Sequence, residues 1–142
     1  MLVDANLLLF AADERSPFHA RASAWLTGRL NGERRVALPW QSLAAFLRIA
    51  TNPRVFEHPL APTQAWEYVE SWLANDVVWT PLPTSRHAEV LGGLVKRHQP
   101  RGDLIPDAQL AALAIEHGLE VCSADTDFAR FSEIRWVNPL AD

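Results

Sequence analysis

The chain has 142 residues, 49% of them hydrophobic and 21% charged, with a formal net charge of −4. That composition excludes a disordered chain, and the length suits a single domain over residues 1–142 that buries roughly two thirds of its unfolded surface. The lone cysteine, Cys122, excludes an intrachain disulfide, apolar runs such as Leu7 to Ala12 are too short to span a bilayer, and no basic leader precedes the first strand, so the expectation is a cytoplasmic protein without a membrane partner.

In chain order, Leu2 to Asp4 reads as a strand. Ser16-Pro17 has the pattern of an N-cap followed by proline at the first helical position, opening a helix through about Leu30. Arg35 to Leu38 is a second strand, stopped by Pro39. Ser42 is expected to cap the helix "SLAAFLRIAT", which ends before Asn52-Pro53. A helix from Thr63 to about Asn75 places Trp66, Val69, Trp72 and Leu73 on one apolar face. Val77 to Thr80 is a third strand, and a helix follows from about Arg86 to His98. "PDAQLAALAIEHG" predicts a helix with proline at its start and Gly118 at its C-cap. Apolar nearly all round from Ala108 to Ile115, it should be buried. Leu119 to Ser123 is a fourth strand, Asp127 to Phe131 a turn of helix, and Ile134 to Val137 a fifth strand. Strands alternating with helices imply an α/β fold, a parallel sheet covered on both faces.

In such a sheet, ligands collect beyond the carboxyl ends of the strands. Asp4 ends the first strand, Asp125 follows the fourth in "VCSADTDF" with Asp127 two residues on, and Asp107 opens the buried helix. Each also has a purely structural reading: Asp4 as a turn cap, Asp107 as a first-turn helix acid, and one of Asp125 and Asp127 as an N-cap. Asp103 reads as a loop or capping acid. Carboxylates gathered from distant sequence repel one another unless a cation sits among them. Hard oxygen donors in that number suit Mg²⁺ or Mn²⁺, and such a site hydrolyses phosphodiesters.

The stretches "LVDANLLL", "LPWQSLAAFLRIATNPRVF" and "IPDAQLAALAIEHGLEVCSADTDFARF" together resemble a PIN-domain protein of the VapC toxin type, the ribonuclease half of bacterial toxin–antitoxin pairs. The resemblance covers essentially the whole chain. It implies a three-layer α/β/α fold with a five-stranded parallel sheet, strand one beside strand four, so that Asp4 and Asp125 flank the switch point and Asp107 faces them. It further implies Mg²⁺-dependent RNA cleavage, with Mn²⁺ able to substitute, a homodimer, and inhibition by a cognate VapB-like antitoxin. Asp4, Asp107 and Asp125 then become catalytic metal ligands, with Asp127 a further candidate. Asn6 and Ser123 match supporting positions, where both can orient a carboxylate through hydrogen bonds.

One position departs from the family. The glutamate usually found in the third helix, just before "FLR", is here Ala45. This leaves an alternative function, a weakened PIN domain that binds RNA or antitoxin without efficient cleavage. A phosphatase of the haloacid-dehalogenase type would need an acid two residues after Asp4, where Asn6 stands. The five histidines show no zinc spacing.

The basic residues are 12 arginines and one lysine. Arg48, Arg54 and Arg101 are candidates for RNA phosphate contact, with Lys96 and Arg97 beside them. Among the six tryptophans, Trp25, Trp66 and Trp72 are expected in the core or a dimer interface. Trp40 is expected to be buried, with stacking on an RNA base the competing role.

Overall fold

Leucine and valine side by side in a two-residue strand must point to opposite faces of the sheet, and that alternation organises the whole molecule. The computed structural model describes residues 1–141. Five strands, β1 (Leu2–Val3), β2 (Val36–Ala37), β3 (Val78–Trp79), β4 (Val121–Cys122) and β5 (Trp136–Val137), form one parallel sheet in the order β3-β2-β1-β4-β5. Val3, Val36 and Cys122 face one core, packed under α1 (Ala5–Ala12), α2 (His19–Leu30), α3 (Trp40–Ala50) and α4 (Pro62–Leu73). Leu2, Ala37 and Val121 face the other, under α5 (His87–His98), α6 (Leu104–His117) and the 3₁₀ turn Thr126–Arg130. The three layers and the β1–β4 adjacency are those implied by the resemblance. The deeply buried α6 is also as expected: Ala108 and Leu110 to Ala114 are all enclosed. Gly118 ends it at φ +65°, a left-handed conformation that costs glycine nothing.

Several local expectations are corrected. Residues 5–12 form a helix that the sequence does not announce, because "ANLLLFAA" is apolar on every side and carries no 3.6-residue period. Helix α2 begins at His19, since Ser16 and Pro17 make a turn: the Ser16 hydroxyl accepts from Phe18 N at 3.1 Å and its carbonyl from His19 N at 3.1 Å. Helix α3 begins at Trp40 with Pro39 as its cap, so Ser42 is not a cap. It is buried in the first turn, and its hydroxyl donates to the Val3 carbonyl at 2.7 Å, fastening α3 to β1. Helix α4 starts at Pro62 and turns Ala65, Val69 and Trp72 inward, which leaves Trp66 42% exposed. Helix α6 starts two residues before Pro106, which is tolerated because the first-turn amides have no intrahelical acceptor.

No helix among the described residues is long and apolar enough to cross a membrane.

Candidate active site

The β1–β4 pairing sets Val3 level with Cys122, so that the next residue of each strand, Asp4 and Ser123, emerges side by side at the carboxyl edge of the sheet. The Asp4 amide donates to the Cys122 carbonyl at 3.0 Å, which fixes that register to the strand's last residue. From there both chains enter helical turns, α1 after Asp4 and the 3₁₀ turn after Asp125.

The Ser123 hydroxyl is the hub of this edge. It is fully buried, donates to Asp4 Oδ2 at 2.7 Å, and accepts from Asn6 Nδ2 and from the Asp125 amide, both at 3.0 Å. One donor and two lone pairs are thereby all used. Asn6 also donates to Asp4 Oδ2 at 3.3 Å, and its oxygen accepts from the Ala124 amide at 3.3 Å. Asp4 Oδ1 accepts from the Ala5 amide at 2.8 Å, so the capping role coexists with the network.

The acids beyond this network are less satisfied. Asp125 Oδ1 accepts from the Asp127 amide at 2.8 Å, starting the 3₁₀ turn. Asp107, in the first turn of α6, has no hydrogen-bond partner among the described residues. Asp107, Asp125 and Asp127 each bring an oxygen within 4.8 Å of the others. Burial, then the charges of Asp125, Asp4 and Asp127, push the Asp107 carboxyl up to about 7, against the opposing charge of Arg130. Burial also raises Asp4 above the ordinary carboxylate range and the Asp125 charge adds to it, while the hydrogen bonds from Ser123 and Ala5 hold it back.

This arrangement reweights the expected residues. Asp107 and Asp125 come together as expected, and Asp127, a secondary candidate in the sequence, is the third member of the close group. Asp4 is not a member of that close group; it is tied into the Ser123–Asn6 network and coupled to Asp107 by charge. Ala45 is half-buried on α3, the helix that Ser42 pins to β1. Arg101 is exposed three residues ahead of α6, whose first turn carries Asp107. Arg48 and Arg54 are exposed in and beyond the last turn of α3, more than ~10 Å along that helix from its start at the sheet edge. Arg97 is engaged by Glu133 at 2.8 Å. Trp40 is 43% exposed, not buried, three residues past the β2 end at the start of α3. The sequence reading missed Arg130, whose Nη2 lies 3.8 Å from Asp127 Oδ1. Its signal was the three-residue spacing in "DFAR" within a turn of three residues' period.

A cavity of about 230 Å³ lies elsewhere, lined by Leu9, Phe46, Phe56, Leu60 and Tyr68 among others, and includes none of the clustered acids.

The PIN domain family model matches residues 1–134. Among curated proteins, the chain is 40% identical to Ribonuclease VapC33 of Mycobacterium tuberculosis over 142 residues, covering 100% of this chain and 99% of that protein. It is 41% identical to Ribonuclease VapC37 of the same organism over 140 residues, covering 99% and 97%. Among solved structures, the Mycobacterium tuberculosis VapC20, described as a sarcin–ricin loop cleaving toxin, superposes with a TM-score of 0.69 at 19% identity, covering 94% of this chain and 98% of that one. VapBC2 from Rickettsia felis, bound to a promoter DNA fragment, gives a TM-score of 0.69 at 13% identity, covering 96% of each chain. At those identities the two structures speak for the fold.

Proposed function

The chain belongs to the PIN-domain family, and on that premise we propose that it is a divalent-metal-dependent endoribonuclease acting as a toxin, held in check by a VapB-like antitoxin. The observation that carries the reading is the gathering of Asp107, Asp125 and Asp127 oxygens within 4.8 Å of one another. An octahedral Mg²⁺ with oxygens at about 2.0–2.1 Å sets neighbouring ligands about 3 Å apart and opposite ones about 4 Å apart, so the donors fit with small closing movements. Burial, and after it the neighbouring carboxylates, raise the Asp107 carboxyl, and a cation among those acids would offset both. Names of relatives supply the substrate: two ribonucleases about 40% identical to this chain over its whole length.

In this reading Asp107, Asp125 and Asp127 hold Mg²⁺ or Mn²⁺. When bound, the ion supplies Lewis-acid polarisation of the phosphoryl oxygen and a lowered pKa for the attacking water. Asp4 has Oδ2 anchored by Ser123 and Asn6 and Oδ1 by the Ala5 amide, which fixes the carboxylate's orientation and leaves one lone pair of Oδ1 to orient a water. The Ser123 hydroxyl, bonded to both Asp4 and the Asp125 amide, sets the spacing between the β1 and β4 acids. Asp127 offsets the acid missing at position 45, which supports cleavage over the binding-only alternative. The whole chain acts as one domain, and the family's homodimer and antitoxin complete the assembly. Toxin–antitoxin complexes, such as the one from Klebsiella pneumoniae, are among the structural neighbours.

The test is sequencing of RNA 5′ ends after induced expression, with Asp125→Asn as control, beside a Mn²⁺ titration of both proteins. New 5′ ends in the wild type alone, with weaker Mn²⁺ binding in the variant, are expected. Identical 5′ ends in both would overturn the activity, and identical Mn²⁺ affinity would overturn the ligand set.

A further inference from the structure

We propose that Arg130 is the residue that receives an RNA phosphate at the acid cluster, its guanidinium leaving Asp127 for a non-bridging phosphate oxygen. This rests on the ribonuclease reading above and assigns the phosphate-binding cation of that same site.

Arg130 closes the 3₁₀ turn that Asp125 opens. With three residues per turn, side chains at i and i+3 eclipse, which stacks Arg130 over Asp127. The turn is rigid because Phe128 and Phe131 are both fully buried beneath it. The side chain itself is not locked. It is 44% exposed, and its one partner among the described residues, Asp127 at 3.8 Å, is beyond hydrogen-bonding distance. Arg97 makes the contrast: its Nε meets Glu133 at 2.8 Å and is committed to a tertiary tie.

Charge explains why a cation is needed there. Asp4, Asp107, Asp125 and Asp127 carry four formal negative charges when ionised, and one divalent ion offsets two. A phosphodiester approaching that remainder is repelled unless another positive group stands at the rim. Arg130 stands at that rim, with Nη2 3.8 Å from Asp127 Oδ1. The fork of guanidinium donors matches two phosphate oxygens, and its contact with Asp127 is a single long approach through Nη2.

A plain tether for Asp127 is the competing role, and the two roles move different quantities. With Ca²⁺ replacing Mg²⁺ to suppress cleavage, binding of a randomised single-stranded RNA is measured against salt for wild type, Arg130→Ala and Arg130→Lys, alongside Mn²⁺ affinity without RNA. The expected result for Arg130→Ala is an RNA affinity about 10-fold lower, from loss of a charge-assisted hydrogen bond. The salt slope should be shallower by about 0.7, for one single-strand phosphate contact. Mn²⁺ affinity should be unchanged or tighter, and Arg130→Lys should recover part of the RNA binding. Unchanged RNA affinity and slope in Arg130→Ala would overturn the proposal, as would a fall in Mn²⁺ affinity, which marks a tether. A wild-type protein that neither binds nor cuts RNA overturns the ribonuclease reading itself, and that failure is visible before any variant is made.

Discussion

Glu116 and Glu133 hold α5 in place, whereas among the described residues Asp107, Asp125 and Asp127 hold no pair of elements together through an ion pair with a distant residue. The Glu116 side chain is enclosed in the last turn of α6 and accepts from the Thr84 amide at 2.8 Å, the Thr84 hydroxyl at 2.6 Å and His87 Nδ1 at 2.7 Å. Glu133 takes Arg97 and His98 at the other end of α5, at 2.8 and 2.7 Å. Burial pushes both carboxyls upward, but the bonds from Thr84 and His87 bring Glu116 net below its ordinary range. Those from His98 and Arg97 bring Glu133 down to about 2. Asp107, raised by burial and then by the acids it faces, goes the opposite way, to about 7. Carboxylates that serve stability are surrounded by donors, and those available to a ligand are surrounded by one another.

That contrast is sharpest at Glu116. Replacing it with alanine leaves Thr84 and His87 unpaired in the interface between α5 and α6. Loss of about 1–3 kcal/mol of stability is expected, the usual cost of leaving buried donors without their acceptor, with Mn²⁺ affinity per folded molecule unchanged. Denaturant unfolding and a metal titration on one preparation check both halves. Loss of metal binding without loss of stability would erase the distinction between the two sets of acids.

Asp107→Asn tests the other side. Cleavage should fall at least ~100-fold, the upper range for altering groups around a metal, and Mn²⁺ binding should weaken with it. Without metal, the same variant should unfold about 1 kcal/mol less readily, after allowance for solvent screening of a half-exposed group, because a repelled charge is gone. Thermal melts in the presence of a chelator would show this as a rise of about 3 °C for a chain of this size. A large destabilisation would mean that Asp107 is a structural helix acid after all.

The smallest effect concerns acid stability. The Glu133 carboxyl is depressed in the folded protein, so its contribution is fully present above its unfolded value near 4.5 and is lost as pH falls toward about 2. Glu133→Gln should remove that part of the acid limb, about 1 kcal/mol given the half-exposed Arg97 partner. Stability measured by urea unfolding from pH 6 to pH 2 should therefore fall less steeply in the variant. An unchanged slope would place Glu133 among the acids that do no structural work.

The sequence carried the alternation of strands and helices, the parallel sheet, the burial of α6 and the placement of acids at strand ends. Those follow from short-range patterning: apolar runs bounded by proline and glycine, and a helix apolar on all sides. Helix α1 was illegible because a uniformly apolar run has no period from which to read its conformation. Ser42 was misread because its partner, the Val3 carbonyl, lies 39 residues away in sequence, and nothing local distinguishes a cap from a buried tie.

The site divides along the same line. Sequence determined which acids exist and that they fall at the carboxyl edge, since a strand's end and a helix's first turn are local facts. Only the tertiary structure decided how they share the work. The β1–β4 register puts Ser123 beside Asp4 and occupies that carboxylate, while the 3₁₀ turn carries Asp127, not Asp4, into the close group with Asp107 and Asp125. The same turn lays Arg130 over Asp127, and the position of Trp40 at the start of α3 leaves exposed a ring that its apolar character alone assigns to the core. Distances between residues more than 100 positions apart depend on register and on which face each turn presents, and those are set by the packing of the whole sheet against its helices.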